Sequence, residues 1–157
     1  MLVVRPMRQT LSHCGPFCLK MVFNYYGVLI DEKKIAKIAR TTIRDGTDYL
    51  DMVKAAEYFG FNAEYKNRLS LNELRKLVVK DKIPVIINWF DLNEGHYSVV
   101  VGVDNCNIYF IDPEGGHQKK MTLRNFKRVW FSFSGDYLKS EDDLRLRPAI
   151  VIIKPKK

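Results

Sequence analysis

Apolar residues in the first half of the chain recur at intervals of three and four, whereas in the second half they come in short continuous or alternating bursts. The first spacing belongs to a helix face and the second to strands. After Gly15, the residues Phe17, Cys18, Met21, Val22 and Tyr25 trace one helical stripe as far as Gly27, which can end a helix by taking a positive φ. "DEKKIAKIA" (31–39) predicts a second short helix with Asp31 as its cap. "GTDYLDMVKAAEYFG" (46–60) predicts a third, with Thr47 before its first turn and Gly60 after its last. "FNAEY" is strand-like, and "SLNELRKLVVK" carries Ser70 and Glu73 at the spacing of a capping box.

Beyond residue 82 the period changes. "IPVIINWF", "HYSVVVGV", "NIYFID" and "VWFSF" are rich in β-branched and aromatic residues, with "DN" and "GG" turn signals between them. A short helix, "TLRNFKR", interrupts them, "PAIVIIK" adds a last strand, and "SGDYLKSEDDLRLR" reads as an exposed, charged connection. "LVV" at 2–4 reads as a short strand ahead of the first helix. Helices first and an antiparallel sheet second is an α+β signature, with the N-terminal helices packed on a C-terminal antiparallel sheet. No internal boundary stands out, so residues 1–157 are expected to form a single domain, a length that buries one substantial core.

Composition narrows the class. With 46% hydrophobic and 28% charged residues the chain is globular in character. Three cysteines is an odd count and no secretory leader opens the sequence, so a reducing, cytoplasmic setting without a disulfide framework is expected. The longest apolar runs are far shorter than the roughly 18–20 residues of a membrane helix, so no membrane span is expected. The formal charge of +8 favours acidic partners, but the basic residues are dispersed, with local clusters only at "QKK" (118–120) and "KPKK" (154–157). Nucleic acid is therefore not an expected partner.

Chemistry concentrates around Cys14. If a helix begins at or just before Gly15, Pro16 falls in its first turn, where the missing N–H removes no intrahelical bond. The Cys14 sulfur then sits at the positive end of the helix dipole, which favours thiolate over thiol. Gly15 lets backbone or substrate approach closely. Cys18, one turn further in among apolar neighbours, is expected to be buried and inert, and Cys106 beside the "DN" turn to have no catalytic role.

A nucleophilic cysteine needs a base, and the base an orienting partner. Of His13, His96 and His117, the first adjoins Cys14 with its side chain expected to point away, and the last lies in a glycine-rich turn. His96 opens a stiff, β-branched strand and is the better base. Strands 96–103 and 107–112 can pair as a hairpin. A three-residue loop, 103–105 or 104–106, sets even positions against even ones and puts Asp112 on the face of His96. A two-residue loop puts it on the other face unless a bulge shifts the register. Gln9, upstream of the helix start, can supply a side-chain amide to an oxyanion beside the Cys14 N–H.

Gln9, "CGPFCLKMVFNYYG", "GT" (46–47) before a helix ending "AAEYFGF", "GHYSVVVGVD" and "YFIDPEGG" together resemble the bacteriocin-processing, or double-glycine, cysteine peptidases and their stand-alone relatives. The resemblance runs from about residue 4 to about residue 133. It implies a papain-like fold, with Cys14 as nucleophile, His96 as general base and acid, Asp112 as orienting carboxylate and Gln9 as oxyanion donor. Such peptidases usually open an ABC transporter and cut leader peptides after Gly-Gly. No transporter segment is read in the sequence, so that substrate is not expected to carry over; a peptide or protein substrate is what the resemblance implies. "HCG" here stands where many members read "DCG", which leaves the role of His13 open.

Two other readings compete. Cys14, Cys18, His96 and Asp112 are all acceptable zinc ligands, but no C-x-x-C pair is present, and both cysteines would have to reach one ion from a single helix. Neither metal nor cofactor is expected. A non-catalytic peptidase-like domain that binds a peptide or partner protein does not need all four residues. "WFDLNE" (89–94) serves equally as a cleft wall, core or loop. The expected activity is that of a cysteine peptidase or related amide hydrolase.

Overall fold

The computed structural model describes residues 1–92 and 94–156. Helices α1 (Cys14–Tyr25), α2 (Glu32–Ile38) and α3 (Tyr49–Tyr58) precede strand β1 (Asn62–Lys66) and helix α4 (Leu71–Arg75). Then come β2 (Val85–Asp91), β3 (Glu94–Val103), β4 (Asn107–Asp112), β5 (His117–Thr122), α5 (Leu123–Val129), β6 (Phe131–Ser132), β7 (Arg145–Leu146) and β8 (Ala149–Ile153). Six strands make one antiparallel sheet in the order β1-β8-β2-β3-β4-β5, and β6 pairs with β7 in a separate ribbon. The fold is α+β, as the hydrophobic pattern predicts.

The sheet is covered on both faces. Leu19, Met21 and Phe23 of α1 join Tyr97, Val99, Val101 and Ile111 in one core. The opposite face, bearing Val85, Ile87, Trp89, Val100 and Phe110, packs against Leu74 and Val78 and against Phe126 and Trp130. The expected N-terminal helical layer therefore accounts for one face only. Burial on both sides explains why "PVII" and "SVVV" run apolar without alternation.

Helix ends follow local chemistry, with two corrections. Gly27, at φ 79°, terminates α1, and Ser70 and Glu73 form both arms of the capping box. Asp31 occupies the cap of α2 but makes no side-chain cap bond. The α3 cap is Asp48, which accepts from the Leu50 N–H at 2.8 Å, while Thr47 is buried and meets Thr41 Oγ1 at 2.7 Å. After Arg75 the backbone widens into a π turn over Lys76–Lys80.

Three strand expectations change. "HQKKMT", read as turn and charge cluster, is edge strand β5. "VWFSF" leaves the main sheet, because Val129 still belongs to α5 and only Phe131–Ser132 pair, with β7. "LVV" forms no strand; Leu2 N–H donates a single bond, 2.7 Å, to the Val101 carbonyl.

The β3–β4 hairpin has the shorter of the two loops considered. Val103 pairs with Ile108, and the Asp104 N–H reaches the Asn107 carbonyl at 2.9 Å, leaving Asn105 and Cys106 as the turn. Asp104 Oδ1 accepts from both Cys106 and Asn107 N–H, which fixes this tight turn. On that register Asp112 would face away from His96. A bulge intervenes: the ladder shifts between Val100 and Gly102, so Val100 pairs with Phe110 and Val99 with Ile111. One extra residue on β3 reverses the parity and returns Asp112 to the face of His96.

Candidate active site

Cys14 is the first residue of α1, half-buried, with His13 as N-cap and Pro16 inside the first turn. The first-turn amides have no intrahelical acceptors, so the sulfur lies among unpaired peptide donors. Gly15 is buried because the start of α3 presses on it: a Cβ there would lie 2.9 Å from both Met52 Sδ and Thr47 Oγ1. The Thr47 carbonyl in turn accepts from the Tyr97 hydroxyl at 3.0 Å. Thr47 thus fixes the thiol-bearing helix and strand β3 at one point.

His96 is buried, and its Nε2 lies 2.6 Å from Asp112 Oδ1. Its ring stands edge-on to Trp89, centroids 6.0 Å apart, and the Trp89 indole N–H donates to Ser98 Oγ at 3.0 Å. The Cys14 side chain also acts on the ring. Burial works against the imidazolium, but the Asp112 hydrogen bond and the Cys14 sulfur outweigh it and push His96 up to about 10. Asp112 is fully buried. Burial alone would raise its carboxyl, yet bonds to His96 and Lys119 hold it well below the usual carboxylate range.

Gln9 is tied to the same turn through its backbone. Its N–H donates to the Pro113 carbonyl at 2.6 Å, one residue beyond Asp112. Gly116, at φ 67°, lets this segment pass, since a Cβ there would lie 3.0 Å from the Arg8 Cα. The Gln9 Oε1 atom is buried without a hydrogen-bond partner among the described residues. The Gln9 backbone is thereby tied to the β4–β5 turn beside Asp112, while Cys14 from α1 and Asp112 from β4 both act on His96 of β3.

The other candidates separate from this group. His13 turns towards α2, pairing through Nδ1 with the buried Glu32 carboxylate and meeting Thr10 Oγ1 at 3.2 Å. His117 opens β5 opposite Asp112, but it is exposed and its ring lies over Gly115. Cys18 is fully buried in the α1 core, and Cys106 is exposed in the hairpin turn. Among the described residues, the four zinc-capable side chains weighed from the sequence do not form one cluster. Cys18 sits in hydrocarbon, and the group of three ligand-capable side chains among the described residues joins His96 and Asp112 to Glu114, without either cysteine. Of "WFDLNE", Trp89 is core, Leu92 is exposed and Asn93 lies outside the described residues.

Two side chains escaped the sequence reading. Lys119 reaches Asp112 Oδ2 with its ammonium, and Glu32 anchors His13. Lys119 was legible in principle, because a four-residue turn at "PEGG" places 117 opposite 112 and 119 on the same face. Glu32 gave no comparable signal, since a glutamate at the first turn of a helix is ordinary dipole chemistry.

The order of these elements, N-terminal helices ahead of a six-stranded antiparallel sheet, is that of the papain-like class. Residues 5–134 match the Peptidase C39 family, and the chain belongs to it. Over 122 residues it is 35% identical to the transport/processing ATP-binding protein ComA of Streptococcus pneumoniae, a stretch covering 74% of this chain and 16% of ComA. The fold superposes on the peptidase domain of Streptococcus ComA with a TM-score of 0.74, at 22% identity over 98% of this chain and 100% of that domain. A double glycine motif protease from an AMS/PCAT transporter, solved in complex with the leader peptide, gives a TM-score of 0.69 at 23% identity over 97% and 89% of the two chains. Among the described residues no helix is long and apolar enough to cross a membrane.

Proposed function

We propose that the chain is a cysteine peptidase whose nucleophile is Cys14. The observation that carries this reading is the His96 imidazole, with Nε2 committed to a fully buried Asp112 and the Cys14 sulfur also acting on the ring. Nδ1 is then the ring nitrogen that exchanges a proton at the sulfur side. The Cys14 thiolate attacks a peptide carbonyl, and the Cys14 N–H with the Gln9 side chain receives the oxyanion. Collapse of the tetrahedral adduct breaks the C–N bond, and the imidazolium gives its proton to the leaving amine. Neutral His96 next takes a proton from water as the hydroxide adds to the thioester, releasing the acid and restoring the thiolate and imidazolium. Asp112 holds the imidazole in one orientation throughout.

Family membership and the leader-bound double glycine motif protease support peptides with a Gly-Gly cleavage site as the first substrates to test. The chain corresponds to a small part of the ComA relative, so attachment to a transporter is not assumed. The experiment measures cleavage of Gly-Gly leader peptides and the rate of Cys14 alkylation across pH, in wild type and His96→Ala. Cleavage and a fast neutral-pH alkylation, both lost in the variant, are the expected outcome. An alkylation rate matching a free thiol and indifferent to His96→Ala would sink the reading and leave a peptide-binding domain.

A further inference from the structure

Asp112 already has a countercharge in the His96 imidazolium, yet the fold brings it a second cation. Lys119 comes from edge strand β5, where it pairs with Phe110, so its side chain shares a face with Asp112 one pair away. Its ammonium contacts Oδ2, while Oδ1 takes His96 Nε2 at 2.6 Å and the Glu114 N–H at 3.0 Å. Both carboxylate oxygens are thereby committed, on a residue with no solvent exposure. Lys119 keeps 38% of its side chain exposed, so its charge remains solvated at one end.

From this geometry we infer that Lys119 is a positioning residue that divides the Asp112 charge between ammonium and imidazole. The inference rests on the proposed peptidase reading. It assigns Lys119 two effects. When His96 has given its proton to the leaving amine, the imidazolium charge is gone, and Lys119 keeps the buried carboxylate ionised and turned towards Nε2. When His96 is protonated, the nearby ammonium disfavours that second positive charge, so the proton is held less tightly and transfers more readily. The charged and titratable groups facing this cluster are His96 from β3, Asp91 from β2, Glu114 and His117 at the β4–β5 turn, and Cys14 and Cys18 from α1.

The test follows the His96 ring protons by NMR from neutral to alkaline pH in wild type, Lys119→Met, Lys119→Gln and Lys119→Arg, alongside peptide cleavage. Lys119→Met and Lys119→Gln are expected to move the His96 titration upward by about one pH unit. They are also expected to lower kcat with KM unchanged. Lys119→Arg is expected to restore the wild-type titration. An unmoved His96 titration in folded Lys119→Gln overturns the inference, even if stability falls, and this variant keeps a neutral donor should Lys119→Met fail to fold. Because the titration needs no substrate, absence of cleavage in wild type would count against the peptidase reading alone.

Discussion

Cys14 and Cys18 stand one turn apart on the same helix and meet opposite surroundings. Cys14 lies half-buried at the first turn, beside unpaired amides and the His96 ring. Cys18 has no exposure and packs within the cluster that holds Leu19, Met21 and Val22. Burial pushes the Cys18 thiol well above its ordinary range, and the Cys14 and Asp112 charges push it the same way. Four residues of helix thus separate a polar end from hydrocarbon. Reactivity is a property of the place, and the residue type alone does not carry it.

The largest effect expected from this contrast is on catalysis. Cys14→Ala should reduce peptide cleavage by about 10⁴-fold or more, as removal of a nucleophile does elsewhere. Cys18→Ala should leave kcat close to wild type, and steady-state kinetics on the two variants measure the difference. Similar losses in both would erase the distinction between the sulfurs.

Next in size is the response to pH. His96, raised to about 10, contributes stability that is fully present below the ordinary histidine value of 6.5 and is lost as pH rises through about 10. Asp112, held below the carboxylate range, contributes stability present above its ordinary value of 3.8 and lost as pH falls below it. Urea unfolding midpoints should therefore decline at both extremes, and His96→Gln should flatten the alkaline decline. Alkylation of folded protein sharpens the contrast: Cys14 should be modified while the fully buried Cys18 stays protected for as long as the protein remains folded.

The smallest effect concerns the residue just after Cys14. Gly15→Ala introduces a Cβ 2.9 Å from Met52 Sδ and Thr47 Oγ1, forcing α1 and α3 apart. A loss of about 1–3 kcal/mol in unfolding free energy is expected from such overpacking. A denaturant titration checks it; an unchanged midpoint would mean that the Thr47 contact does not set the position of the helix start.

The sequence carried some of this architecture and hid the rest for physical reasons. The span of α1, its stop at Gly27 and the Ser70–Glu73 box were legible because each depends on neighbours in the chain. Strands β2, β3, β4 and β8 announced themselves through β-branched runs. β5 did not, because an edge strand bearing "HQKKMT" needs little apolar surface and its ladder partner, β4, is supplied by tertiary pairing. The pairing of His96 with Asp112 was legible only as a condition on loop length. The tight Asp104 turn violated the favoured form of that condition, and the bulge satisfied the other. Lys119 and Glu32 were missed because their partners lie on other elements, and a charged side chain reads as solvated surface until the fold supplies its counterpart.

The extra residue at Val101 makes this hairpin a device of odd and even counts. Deleting one position from β3 would swing Asp112 towards the helical layer, and lengthening the Asn105–Cys106 corner by one would do the same. Making both changes together would cancel. Relatives that carry this pair of side chains on a smooth, unkinked ribbon are accordingly expected to have corners longer by one residue, so that gains and losses of length in this segment arise as compensating twins.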